Sequence, residues 1–495
     1  MSMKRMSILL CSIVVIGAAA QRSERLGFMP PGLLSPDALH EVSFVEGETN
    51  VLVYGDGHLV GRYAAVIKET LVFSRSSARF AFVAGDGITS SVVVDGKEGP
   101  RYSLILKGCP QFSPDSSHVA YGARREKRWR MVVDGEEGPD FDMIWPNSRL
   151  FSPDSKHTAY MAWQGTNCFA IVDGKPSPPV GGNFTNGPWF SPDSLRTAYC
   201  SRATNGERMV IDHQPGPAYD CLADGDFLFS PDSARTAYSA KKGSNCVQLV
   251  DGTPGPEFDA IMTIQASFSP DSKRFAYAAR KGGKFHVVVN QRLSPPYDGL
   301  SDPLVFSMNS RRFGYPASLA EKWFVVVDEE PGPPFDVIVL GGPVFSPDSR
   351  RVAYAAKRDG QAVVVLDRKV VATYDGIGGD SLLFSPDSKR FAFSARRGNK
   401  WLVVLDGQEG PEWQTLGAWE VVDGVGIKGL LFSPDSKHFA YRAKVDSGMT
   451  SLLVVDGQPG PRYDWIGRTG CFRSDGTLEY LARKNQILYR VERSP

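Results

Sequence analysis

Apolar residues along the chain gather in short runs separated by turn residues roughly every ten positions, and these runs come in sets of four. No period of 3.6 survives across a set, so the pattern reads as strands and not as amphipathic helices. The sets are copies of one another. F-S-P-D-S or a close variant begins at Phe112, Phe151, Phe190, Phe229, Phe268, Phe345, Phe384 and Phe432, with weaker copies at Leu34, Phe73, Phe306 and Phe472, twelve in all. From Phe73 to Phe268 the spacing is 39 residues at every step; between Phe384 and Phe432 it stretches to 48, and the surplus around Thr415 to Gly424 reads as a loop insertion.

Each copy predicts four antiparallel strands. Strand A ends at the Phe of the motif, strand B is the F-A-Y-A segment, strand C is V-V-V-D and strand D is the Y-D-x-I segment. S-P-D-S suits the A-to-B turn, with Pro fixing φ and Asp bonding its own backbone, and the D-G after strand C suits a tight hairpin. Pro100, Pro139, Pro217, Pro256, Pro333, Pro411 and Pro461 open strand D, which a strand tolerates at a sheet edge. Strand B alternates small with large residues, as in Ala276 and Tyr277. A sheet buried on both faces between near-copies of itself needs that alternation, each Tyr lying over a neighbour's Ala. Radially stacked sheets of about 40 residues form a β-propeller.

The run F-S-P-D-S-K-R-F-A-Y from Phe268 to Tyr277 resembles the WD-like repeat of TolB-type propellers, and the likeness extends over nearly the whole chain beyond Arg25. Val133-Asp134 stands where WD repeats close on Trp-Asp, which places the chain nearer the TolB-like and oligopeptidase propellers. The resemblance implies an exported module whose partners dock on a propeller face or at the channel mouth. Oligopeptidase relatives carry a hydrolase domain beside the propeller; about 20 residues follow the last Phe anchor here, so a resident serine peptidase is not expected.

Arg25 to Met29 aligns with strand D while the chain ends on strands A, B and C, so the termini are expected to share a blade. Twelve blades exceed the usual four to eight per ring. Two tandem six-bladed rings, residues 21–252 and 253–495, are therefore expected, with a five-plus-seven division or one large ring over 21–495 as the alternatives. Lys4 and Arg5 precede an apolar run from Ile8 to Ala20 that closes on small residues, the pattern of a secretory signal peptide cleaved after Ala20. That run is shorter than the roughly 20 residues a membrane-spanning helix needs. Periplasmic or secreted localisation follows as an expectation, with a retained N-terminal anchor as the lesser alternative.

Composition adds boundaries. With 42% hydrophobic residues, 50 Gly and 35 Pro, the chain builds a core and many turns. A net charge of +1 gives no basis for binding nucleic acid. The six cysteines after the leader lack CxxC spacing, and no HExxH, GxSxG or phosphate-binding loop is present, so neither a metal nor a cofactor is expected. His40, His118, His157 and His438 stand six residues after the anchor, where other copies carry Arg or Lys, and read as solvated starts of strand B. One Asp per S-P-D-S turn and one at the end of each strand C read as structural.

Strand direction puts the A-to-B and C-to-D turns at one end of each sheet, together with these aspartates and Glu136, Glu137, Glu329 and Glu330. The B-to-C turns at the other end hold Arg124, Arg125, Lys127, Arg128, Lys241, Lys242, Arg280, Lys281, Lys357, Arg358, Arg396 and Arg397. An acidic and a basic face are expected, the basic one binding an acidic protein or an anionic polymer. The leading functional expectation is a non-catalytic scaffold for protein–protein or protein–ligand interaction. One alternative is a polysaccharide lyase or hydrolase at the channel mouth, drawing on Arg149, Asp224, Asp226, Asp302 or Asp380; the other is a structural envelope protein.

Overall fold

The computed structural model describes residues 12–16, 19–28, 33–35 and 40–494, except 146–149, 179–183, 204–205, 223–226, 340–341, 380, 417–428, 446–449, 468–470 and 486. These residues contain strands and turns and no helix. They build twelve antiparallel sheets, one for each copy, in the spatial order A-B-C-D. The expected insertion near Thr415 lies, beyond Leu416, outside the described residues.

The sixth and seventh sheets show how the sequence makes a blade. In the sixth, strand B is Thr236–Lys242, strand C is Asn245–Val250 and strand D is Thr253–Phe258, while strand A is split into Cys221–Leu222 and Leu228–Phe229. Asp251 and Gly252 both adopt positive φ, 53° and 75°, the two-residue turn that matches strand twist. Strand D pairs with strand C alone and is an edge, so Pro254 and Pro256 cost no ladder bond on the outer side. Gly255 sits at a register shift in this edge; a Cβ there would meet Gln248 O at 3.2 Å and the Tyr277 hydroxyl of the next sheet at 3.5 Å.

Y-D-x-I does not form one strand. Phe258 closes strand D of the sixth sheet, opposite Cys246, whereas Ile261 already pairs with Ala279 in the seventh. The intervening Asp259 is the crossover. Its N–H donates to Arg280 O at 2.9 Å and its carboxylate accepts Gly282 N–H at 2.8 Å, capping the B-to-C hairpin of the sheet it enters. Asp142, Asp220, Asp298, Asp336, Asp375 and Asp464 repeat this cap.

Sheets pack through the small-and-large alternation of strand B. Ala237 lies in one buried cluster with Tyr277 of the following sheet, and Ala276 in another with Tyr315; Ala392 and Tyr441 do the same further on. The repeated Ala positions are closed to solvent, Ala276 at 0% exposure, because any larger group would strike the facing aromatic.

A second set of contacts fastens successive sheets at the S-P-D-S end. Ser230 Oγ donates to Asp232 at 2.6 Å and accepts Arg235 N–H at 2.9 Å, which closes the turn locally. Asp232 N–H then donates to Ser272 Oγ of the seventh sheet at 3.0 Å. Arg235 completes the latch: Nε meets the Asp251 carboxylate at 2.9 Å, Nη1 donates to the carbonyls of Ser272 and Lys273, and the guanidinium lies 5.4 Å from the Phe268 ring centre. The serine bond recurs from Ser76 to Ser116 and from Asp115, Asp154, Asp193, Asp271, Asn309 and Asp387 to the next sheet's serine. His118 and His157 occupy the Arg position and do part of the same work, binding Asp134 and Asp173 and lying against Phe151 and Phe190 of the next sheet. They are latch residues and not merely solvated strand starts.

The last sheet is closed by both ends of the chain. Ala19–Phe28 pairs with Ile487–Arg493 from Gln21 opposite Arg493 to Phe28 opposite Ile487, supplying strand D as the sequence implies, and Ser12–Ile16 pairs with Ala19–Ser23 outside it. Contacts divide the chain into two compact units, residues 63–373 and the combined residues 1–62 and 374–495. Gly252 lies within the first of these, where the Ala237–Tyr277 cluster packs together the sheets on either side of it.

Ala276→Leu is expected to overfill the interface with the eighth sheet and lower stability by about 1–3 kcal/mol, read from the urea midpoint. An unchanged midpoint would contradict the packing. The turn aspartates give a pH dependence. Serine hydroxyls two residues earlier, then backbone N–H groups, hold Asp115, Asp154, Asp193, Asp232, Asp271, Asp387 and Asp435 below the usual carboxylate range. A carboxyl lowered in the folded state contributes stability fully above its unfolded pKa of about 4, and that contribution is lost as pH falls through the lower folded value. Urea midpoints should therefore hold steady from neutrality to about pH 5 and decline below about pH 4; a midpoint insensitive to acid would exclude the turns as the cause.

Candidate functional site

Propeller function concentrates on turns, so the twelve cations of the B-to-C hairpins were the sequence-based candidates. Half of them are engaged. Arg125 binds Glu137 at 2.8 Å and lies 5.1 Å from the Tyr102 ring centre; Arg128 binds the crossover Asp142. Arg124 lies over Trp129, and Arg358 lies over Phe335 at 4.6 Å. Arg396 donates to the carbonyls of Gly398 and Asp375, and Arg397 binds Glu409 at 2.6 Å.

Glu137, expected on the opposite face, is thus a partner of Arg125, as Glu409 is of Arg397. Burial raises the Glu137 carboxyl, but bonds from Arg130 and Tyr102 outweigh it and hold the group below its ordinary range. At the opposite end, the strand-C aspartates are matched by Arg or His in ten sheets. The expected division into an acidic and a basic face is therefore corrected: both ends carry both signs. The aspartates after the strand-D aromatic, read from the sequence as structural, are these crossover caps, and strand order places them beside the basic hairpins.

The other six candidates make no ion pair among the described residues: Lys127, Lys241, Lys242, Arg280, Lys281 and Lys357. All six are exposed. Lys241 and Lys242 close strand B of the sixth sheet, and Arg280 and Lys281 close strand B of the seventh, so four cations stand on consecutive hairpins within the 63–373 unit.

Of the groups named for a catalytic reading, Arg149, Asp224, Asp226 and Asp380 lie outside the described residues, and Asp302 is exposed. Among the described residues no three His, Cys, Asp or Glu side chains gather as a metal site would require. Three buried acids escaped the sequence reading, Glu41, Glu207 and Glu479. Glu207 is only 2% exposed, bound by Arg202 and by Leu222 N–H at 2.7 Å. Its signal was a break in the repeat, since Trp129, Phe285, Trp323 and Trp401 hold the matching position of strand C. Both its carboxylate oxygens are occupied, so it joins the fifth and sixth sheets.

No family model and no curated protein matches the chain. Solved structures similar to it include a eukaryotic initiation factor, at 13% identity and a TM-score of 0.35, covering 68% of this chain and 96% of that one. TolB from Acinetobacter baumannii is similar at 15% identity and a TM-score of 0.24, covering 51% of this chain and 78% of that one. The β-propeller domain of Myceliophteria thermophila Cps50 (Swd1) is similar at 11% identity and a TM-score of 0.23, covering 55% of this chain and 98% of that one.

Proposed function

We propose that the protein is an exported, non-catalytic propeller scaffold, acting in the periplasm or at the cell surface, that binds an anionic protein or polymer through its B-to-C hairpins. The carrying observation is the set Lys241, Lys242, Arg280 and Lys281, exposed on consecutive hairpins and, among the described residues, without an ion-pair partner, whereas Arg125, Arg128 and Arg397 of other hairpins are paired. Such charges accelerate encounter and select sign, with an affinity that salt weakens. The leader pattern supports export, and the register of the closing sheet is compatible with it. Every pair between the first strand D and Ile487–Arg493 begins at Gln21 or later, so cleavage after Ala20 leaves them all in place.

The test is capture of partners from the exported fraction by the mature chain at low and high salt, alongside a variant with Lys241, Lys242, Arg280 and Lys281 changed to Glu. A partner retained by the wild type at low salt and lost both in high salt and in the variant supports the reading. Arg125→Glu should matter little, since Arg125 is already engaged by Glu137. A partner indifferent to the four reversals would overturn the assignment of the surface.

A further inference from the structure

Eleven sheets carry Arg or His at the latch position, and in one of them, the seventh, the acid it would pair with is missing. In ten sheets the acid ending strand C uses one oxygen to accept the first strand-B N–H and offers the other to Arg or His, as Asp251 does for Thr236 and Arg235. The seventh sheet carries Asn290 instead. Its Oδ1 still accepts Phe275 N–H at 2.9 Å, so its NH2 group stands where the second carboxylate oxygen stands elsewhere. Arg274 is nevertheless retained, donating through Nη1 to the carbonyls of Ser310 and Arg311 and lying 5.0 Å from the Phe306 ring centre. Among the described residues neither Arg274 Nε nor the Asn290 amide has an acceptor. Two donors are left where every other latch has a donor and an acceptor.

A second substitution falls beside the first. The turn of the eighth sheet reads S-M-N-S, so Asn309 makes the turn bonds to Ser307 Oγ and Arg311 N–H without a negative charge. Two acids are therefore missing around Arg274, while Lys273, Arg292 and Arg311 stay exposed at the same end. Nearby acids are committed: Asp271 to Ser269 Oγ and Lys273 N–H, and Asp251 to Arg235. Asn290 also lines a cleft of about 160 Å³ between the sixth and seventh sheets, with Lys273, Arg235, Gln291, Tyr277 and the buried Gln248.

We propose that this end of the seventh sheet binds a phosphate or sulfate group, whose oxygen takes the place of the missing carboxylate oxygen between Arg274 and the Asn290 amide, with Lys273 alongside. Guanidinium and amide donors in this arrangement suit an oxyanion, and the bonds formed would be charge-assisted. The site lies at the opposite end of the sheet from the Lys241–Lys281 hairpins and does not depend on their role.

The test is calorimetric titration of the full chain with inorganic phosphate and, separately, with a sulfated polysaccharide. Asn290→Asp is the decisive variant, because it restores the ion pair present in ten other sheets and its urea midpoint should equal or exceed that of the wild type. Wild-type binding that weakens at least tenfold in N290D supports the site. Loss with phosphate identifies the free ion as a sufficient ligand, and loss with the polymer alone identifies a polymer-borne group. Equal binding by N290D, or no binding of either probe by the wild type, overturns the proposal.

Discussion

A backbone N–H in a tight turn cannot be left dry, and in eight of the described sheets the S-P-D-S turn satisfies its N–H on the next sheet. The Asp232 N–H has its acceptor in Ser272, a serine 1% exposed whose own backbone is held at a φ of 63°. Outside glycine that conformation is uncommon and carries strain. The repeat keeps serine there, at φ between 61° and 70° in ten copies, because the hydroxyl is the partner of the preceding sheet. Folding of one blade thus becomes coupled to the presence of its neighbour, as stacked repeat architectures require.

The same constraint governs where charge remains available. Cations at the S-P-D-S end hold the strand-C acids and the next sheet's carbonyls; cations at the other end hold crossover acids or lie on aromatic rings. Many of this chain's 56 basic and 55 acidic residues are engaged in such contacts. Places where the pairing lapses stand out against so regular a background. They include the four cations on the sixth and seventh hairpins and the Asn290 substitution at the other end of the seventh sheet.

Much of the fold was legible because each copy repeats its turn residues and its alternation of small and large groups at fixed offsets. The twelve sheets, their strand order, the edge position of strand D, the D-G hairpins and the shared closing blade all follow from that. The crossover was misread because Tyr-Asp-x-Ile is continuous in sequence while its hydrogen bonds belong to two sheets; only pairing partners separate Phe258 from Ile261. The histidines were misread for a related reason. Exchange of His with Arg at one offset reads as a solvated position until the next sheet is seen to supply the ring that both side chains lie against, and carbonyls that Arg meets besides. Asn290 was printed in the sequence, but its meaning depends on knowing that the acids it replaces each serve two donors.

The central claim is that Ser272 is kept for its bond to the preceding sheet and not for the turn it sits in. Ser272→Gly separates the two, since glycine adopts positive φ without strain. Were the turn alone at stake, the variant would be as stable as the wild type or more so. Loss of the acceptor for Asp232 N–H should instead lower stability by about 1 kcal/mol or more despite the relieved backbone, seen as a reduced urea midpoint. A midpoint equal to or above that of the wild type would contradict the account.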